Sequence, residues 1–289
     1  MNSSADVTRE LGMIDFHKHA AQTYAANTAG GAKCWLARAQ NFFVEWVEAS
    51  AADSVVHFSS AHETMVLVFG APAQLSIGVQ ATDAPPRSVC IVPPGAASVH
   101  LNEGGTCAVL ASQRNDLGGR TVLNGASFAE LDTRITPPLP PFRRRDPSNA
   151  ITVVPIDSFE APANNPRLKM LQSDTLSINW VEYDGPRDRR ALTPHSHADL
   201  EQGSLAVAGH FVHHLRQPWG KNADHWREDR HLQVGSPSLM VVPINLIHTS
   251  EGVHNERHLM VDIFSPPRRD FIAKRWVENA AGYEDPVSG

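Results

Sequence analysis

The chain has 289 residues, 42% of them hydrophobic and 19% charged, with a formal net charge of −6. That length fits one large domain or two ordinary ones, and the apolar content excludes a disordered chain. The charge balance leaves no electrostatic footprint for nucleic acid: the one basic run, Arg143-Arg144-Arg145, is short and lies beside prolines, as a solvated linker would.

The three cysteines, Cys34, Cys90 and Cys107, share no C-x-x-C spacing, and their odd number argues against a disulfide framework. The opening MNSSADVTRELG carries charge where a signal peptide needs an apolar stretch, and no apolar run approaches the ~20 residues that span a bilayer. The expectation is a soluble, cytoplasmic protein with no membrane or nucleic-acid partner.

In chain order, a helix is expected near Ala20 to Ala26, followed by short β-like runs punctuated by Gly, Pro, Asn and Asp. Thr64 to Phe69 and Ser88 to Val92 are such runs. A second helix is expected around Phe128 to Leu131. Thr136-Pro137-Pro138-Leu139-Pro140-Pro141 then reads as a semi-rigid connector, because proline removes backbone donors and fixes φ. Beyond it come the runs Ser177 to Tyr183, Ser204 to Ala208, Ser238 to Val242 and Leu259 to Phe264, and a last helix near Asp270 to Asn279. This is the pattern of an all-β protein.

The halves resemble each other. Phe43-Val44-Glu45-Trp46-Val47-Glu48 echoes Ser177-Ile178-Asn179-Trp180-Val181-Glu182. A histidine, a glutamate, an apolar run and a glycine follow each (His57 to Gly70, His195 to Gly209), then an apolar run, proline and histidine (Ile91 to His100, Met240 to His248). Two copies of one barrel, residues 1–145 and 146–289, explain this economically.

Ten of the 15 histidines fall between His195 and His258. In Pro194-His195-Ser196-His197-Ala198-Asp199-Leu200-Glu201 an extended backbone directs His195 and His197 to one face, and Glu201 follows after a short bend. His248, after Pro243-Ile244-Asn245-Leu246-Ile247, is placed to add a ligand from a neighbouring strand. Three imidazoles and a carboxylate with open positions suit one divalent transition metal (Fe, Mn, Ni, Co, Cu or Zn, with Fe favoured) rather than an all-oxygen Ca²⁺ or Mg²⁺ cage.

These segments resemble the two motifs of the cupin superfamily. His195, His197, Glu201 and Gly209 match the first, and Gly235, Pro243 and His248 the second. Asn245 stands where the second motif has its middle glycine, and Gly252 where it ends on asparagine. The resemblance covers roughly Leu168 to Pro267 well and the N-terminal half weakly. It implies a bicupin of two double-stranded β-helix (jelly-roll) barrels. The C-terminal one holds the metal at His195, His197, Glu201 and His248; the N-terminal one keeps only His57, Ser59, Glu63 and His100 in the corresponding places.

Gln202, Trp180 and Asp262 are candidates to line the cavity or steady a ligand imidazole. One of His213 and His214 should face inward, and the connection Gln217 to His231, with Trp219 and Trp226, is either a lid or an ordinary surface loop. His17-Lys18-His19 lacks the downstream glutamate and glycine and is expected as an exposed leader or an arm on the other barrel. The implied function is a dioxygenase or related oxidoreductase acting on a small organic acid or aromatic. The alternatives are a redox-neutral isomerase or lyase on a sugar or organic acid, and a non-catalytic small-ligand binder. A homodimer is compatible with all three.

Overall fold

The computed structural model describes residues 12–23, 28–29, 31–50 and 54–286. Two six-stranded antiparallel sheets of identical order dominate it. One runs Thr152–Pro155, Ser88–Val92, Thr64–Val68, Gly105–Ala111, Phe43–Ala49, Lys33–Arg38; the other runs Gly12–Asp15, Ser238–Val242, Gln202–Ala208, Arg257–Phe264, Ser177–Asp184, Met170–Gln172. A second sheet closes each barrel. It has five strands in the N-terminal half (Thr28–Ala29, Ser54–Ser60, Gly95–Leu101, Ala73–Ile77, Gln80–Ala84) and three in the C-terminal half (Arg230–Val234, His210–Arg216, Ile247–Val253). Every β-run expected from the sequence is a strand.

The halves are interlocked by exchanged edges. Gly12–Asp15 precedes the N-terminal barrel yet pairs with Ser238–Val242 of the C-terminal one, and Thr152–Pro155 pairs back onto Ser88–Val92. The sheets therefore do not follow the 145/146 division of the chain. His17-Lys18-His19 belongs to this arm, with His17 Nε2 2.7 Å from a Glu48 oxygen.

Side chains on the two faces of each six-stranded sheet serve different cores. One face of each meets the other sheet: Trp35, Trp46, Met65, Leu67 and Phe69 share one buried cluster with Ile178, Trp180, Leu205, Leu239, Val261 and Ile263. Phe69 bridges the halves, 5.5 Å from the Trp46 ring and 5.6 Å from Trp180. The opposite face of the N-terminal sheet fills its own barrel with hydrocarbon and sulfur, including Val66, Val68, Val109 and all three cysteines. On the other face of the C-terminal sheet the described apolar groups form three small clusters, around Phe211, Leu215 and Phe264, and polar groups lie among them. Those polar groups form the site.

Helix is scarcer than expected. Phe128 ends a single 3-10 turn, Gly125–Phe128, and the C-terminal helix is five residues long, Arg269–Ala273. Of the helix expected at Ala20 to Ala26, Gln22 is extended and bridges to Cys34, while residues 24–26 lie outside the described part.

Candidate metal centre

His195, His197 and His248 converge, with one ring nitrogen from each within 4.8 Å of the others. His195 and His248 are directly paired, exchanging both backbone hydrogen bonds at 3.1 and 2.8 Å. His197 is held by its carbonyl, which accepts from the Asn245 N–H at 2.6 Å. Asn245 has φ +62°, the left-handed conformation that the cupin motif normally assigns to glycine and that asparagine tolerates better than most residues. The departure at Gly252 also has a packing reason: a Cβ there would collide with the Tyr183 hydroxyl and the His258 ring.

Glu201 does not join the histidines. It is buried, and its Oε2 accepts the backbone N–H of Gln40, a residue of the other barrel, at 2.8 Å. The N-terminal half explains why. There Glu63 Oε2 accepts the backbone N–H of Asp174 at 2.9 Å, and Gln40 and Asp174 stand six residues before Trp46 and Trp180, respectively. The same glutamate thus does the same job on both sides of a pseudo-twofold axis, clamping one barrel to the start of the other. In a strand the next residue points to the opposite face, so Gln202 takes the place beside the histidines.

Gln202 Oε1 lies 3.0 Å from His197 Nε2 and 3.1 Å from His248 Nε2. Its amide nitrogen donates to Asp262 Oδ1 at 2.8 Å and to Ser204 Oγ at 3.0 Å, while Ser204 Oγ itself donates to Asp262 Oδ1 at 2.8 Å. Asp262 is thereby the anchor that turns the carboxamide oxygen toward the histidines. Burial pushes its carboxyl above the usual carboxylate range, opposed by the hydrogen bonds it accepts and by the positive charge of Arg187. Trp180, the third candidate, lies on the opposite face, in the core between the barrels.

The imidazoles are oriented from behind. His195 Nδ1 is 3.0 Å from the Thr193 carbonyl and His248 Nδ1 2.9 Å from the Leu246 carbonyl. A carbonyl only accepts, so Nδ1 carries the hydrogen in each and Nε2 keeps its lone pair. This backing is characteristic of metal-ligating histidines. Burial depresses the pKa of His248 to about 3 and that of His197 to about 4, in the latter case with help from the nearby Arg268 charge. Both rings are therefore neutral near neutral pH.

His213 is the inward member of the His213-His214 pair. It is 2% exposed, on the same face as Ser250, two residues along from His248. Its Nδ1 bonds Ser250 Oγ at 2.8 Å, while its Nε2 is buried without a partner. Burial and the neighbouring His248 lower its pKa to about 4. His214 faces outward, between Glu251 at 2.9 Å and His231 at 2.7 Å. In the Gln217 to His231 connection, Trp219 and Trp226 stack on each other at 4.6 Å and remain 72% and 42% exposed.

In the N-terminal barrel, His57, Ser59 and His100 alternate with Val56, Phe58, Ala97 and Val99, and it is the latter that fill the interior. His57 is exposed. His57, Ser59 and His100 therefore lie on the face turned away from the barrel interior, while Glu63 keeps its correspondence to Glu201.

No family model matches the sequence, and no curated protein does either. Solved structures do. AerE from Microcystis aeruginosa superposes with a TM-score of 0.56 at 9% identity, covering 86% of this chain and 98% of its own. The protein YlbA from E. coli gives 0.56 at 8% identity, over 90% of this chain and 92% of its own. Oxalate decarboxylase from Lactobacillus farciminis, solved as a formate complex, gives 0.55 at 12% identity, over 89% and 86%. The chain has the bicupin fold. At these identities the likeness establishes architecture, and the argument for chemistry rests on the residues.

Proposed function

We propose that this bicupin is an enzyme that holds one divalent transition metal through His195, His197, His248 and the Gln202 carbonyl oxygen, and acts on a small organic acid. One observation carries the metal. His248 Nε2 and Gln202 Oε1 are both lone-pair atoms, 3.1 Å apart and buried, each fixed in that sense by hydrogen bonds on its far side. His197 Nε2, 3.0 Å from the same oxygen, can donate to it, but His248 Nε2 then remains a buried acceptor facing an acceptor, which is costly unless a cation binds there. Nitrogen and amide-oxygen donors of this kind suit Fe, Mn, Co, Ni, Cu or Zn.

Bound there, the ion supplies Lewis acidity toward a substrate oxygen. The chain's own groups supply the rest. His195 is exposed and marks the open mouth. His213 Nε2, unpartnered on the interior face, is placed to hold or move a proton; the Ser250 hydroxyl bonded to Nδ1 can either donate or accept. All four metal donors are neutral, so the ion keeps its full charge and attracts an anionic substrate. This favours redox-neutral isomerase or lyase chemistry. The dioxygenase expectation relied on the Glu201 carboxylate as an anionic ligand, and the position of Glu201 removes that support. It stands as a second reading, favoured by the exposure of His195, which leaves that side of the site open to small ligands.

Protein purified without a metal-affinity tag, loaded with Fe(II), Mn(II) or Zn(II), and screened against small carboxylic acids with and without O₂, tests the assignment. Turnover equal under both atmospheres is expected. Turnover only in O₂ would move the assignment to the dioxygenase, and binding without turnover would contradict an enzyme.

A further inference from the structure

A second cavity, of about 360 Å³, opens where the barrels meet, at the end of strand Arg257–Phe264 opposite the one that packs Phe264 against His197. Four cations line it: Arg87, Arg167, Lys169 and Arg257. Two of them are neutralised in place. Glu182 accepts from Arg87 at 2.7 Å and from Arg257 at 2.6 Å, and Asp157 receives the other edge of the Arg87 guanidinium at 2.7 Å. Neither of the remaining two has a carboxylate within ion-pair distance, although the Lys169 charge helps to hold the Asp157 carboxyl below its usual range. Lys169 Nζ donates to the Ile156 carbonyl at 2.8 Å and lies 5.4 Å from the centre of the Phe159 ring, whereas Arg167 forms no hydrogen bond or ion pair with any described residue. The charge of Arg167 is felt by Arg187, itself bonded only to the Ser250 and Ala191 carbonyls, whose pKa is lowered by burial and then by Arg167. One acidic group of the lining, Asp184, is exposed and sits across the strand pair from Arg257.

The pseudo-twofold axis supplies a control. Trp46 faces Trp35 across its sheet; its counterpart Trp180 has Lys169 in the same place, bonded through the backbone at 2.9 Å. On the N-terminal side Trp35 packs against His17 at 5.7 Å. One frame, used twice, carries an aromatic residue at this position in one half and a cation beside a cavity in the other, so the strand pairing itself does not dictate a lysine there.

From this we infer that the cavity binds a small dianion, a phosphate monoester or a short dicarboxylate, between Arg167 and Lys169. A planar guanidinium fork matches carboxylate and phosphate oxygens equally, and the ammonium adds a point charge. The volume is at the lower end for small-molecule sites, which rules in a metabolite rather than a polymer. Ile156, Pro166 and the Tyr183 ring offer its body an apolar wall.

The test is calorimetric titration and thermal melting with inorganic phosphate and with succinate, against chloride at equal ionic strength. Wild type should bind one of the two dianions and melt higher in its presence; preference for phosphate points to a phosphate ester and preference for succinate to a dicarboxylate. Arg167→Gln and Lys169→Gln should each weaken binding at least tenfold; Arg167→Gln should melt no lower than wild type without anion, since it removes a charge with no carboxylate partner. His248→Ala should bind as wild type does, separating this cavity from the metal centre. Dianions no better than chloride, or affinity unchanged in both glutamine variants, would overturn the inference.

Discussion

Exchanging the roles of two adjacent residues gives the sharpest test of the site. Glu201→Ala removes the acceptor of the Gln40 N–H across the barrel junction, an ionic hydrogen bond of 2.8 Å. Such a bond contributes about 1.5–3 kcal/mol. For a chain of this size that lowers the melting temperature by roughly 3–12 °C. Metal content should be unchanged. Gln202→Ala should do the reverse: the stability of the metal-free form should change little, while metal affinity falls. Glu63→Ala should likewise lower the melting temperature, because Glu63 accepts from the Asp174 N–H at 2.9 Å and from the Tyr283 hydroxyl at 2.7 Å. Melting curves recorded by circular dichroism on chelated protein, with elemental analysis of the reloaded protein, read both quantities. Loss of metal in Glu201→Ala with retention in Gln202→Ala would refute the placement of the two side chains.

Asp262→Asn should weaken metal binding about 10–100-fold without unfolding the protein, because an asparagine NH₂ can donate to Gln202 Oε1 and release the carboxamide from its orientation; metal titration reads this. His213 has a pKa of about 4 folded against about 6.5 unfolded, so the unfolded chain takes up its proton first and stability falls as pH drops below about 6.5. By pH 4 this one group costs up to about 3 kcal/mol, and denaturant titrations of His213→Asn should show a flatter acid limb by that amount; an unchanged limb would contradict its burial as a neutral ring. The thiols of Cys34, Cys90 and Cys107 are buried, and burial raises their pKa to about 12, so Ellman's reagent should find none in the native protein and all three in denaturant.

The fold was legible because strand alternation, turn residues and the repeated Trp-Val-Glu segment all act locally, and the three histidines because H-x-H on an extended backbone fixes a shared face. The side chain that faces them was not. Glu201 and Gln202 are neighbours, and only the exact point at which the bend rejoins the strand decides which of them faces inward. The signal was present in the repeat: Glu63 persists in a half whose interior has no histidines, which marks that glutamate as structural. The exchanged edge strands were equally hidden, since pairing of Gly12–Asp15 with Ser238–Val242 spans most of the chain and leaves no local trace. The partial charges around Arg167 depend on which carboxylates other arginines consume, and no single sequence spells that out.

Elemental analysis of tag-free protein after equilibration with a single divalent metal tests the central claim most directly. The structure predicts close to one ion per chain, falling to near zero in His195→Ala and His248→Ala with the fold retained. An ion that persists in both variants, or a wild-type protein that takes up none, would contradict a metal centre built on His195, His197, His248 and Gln202.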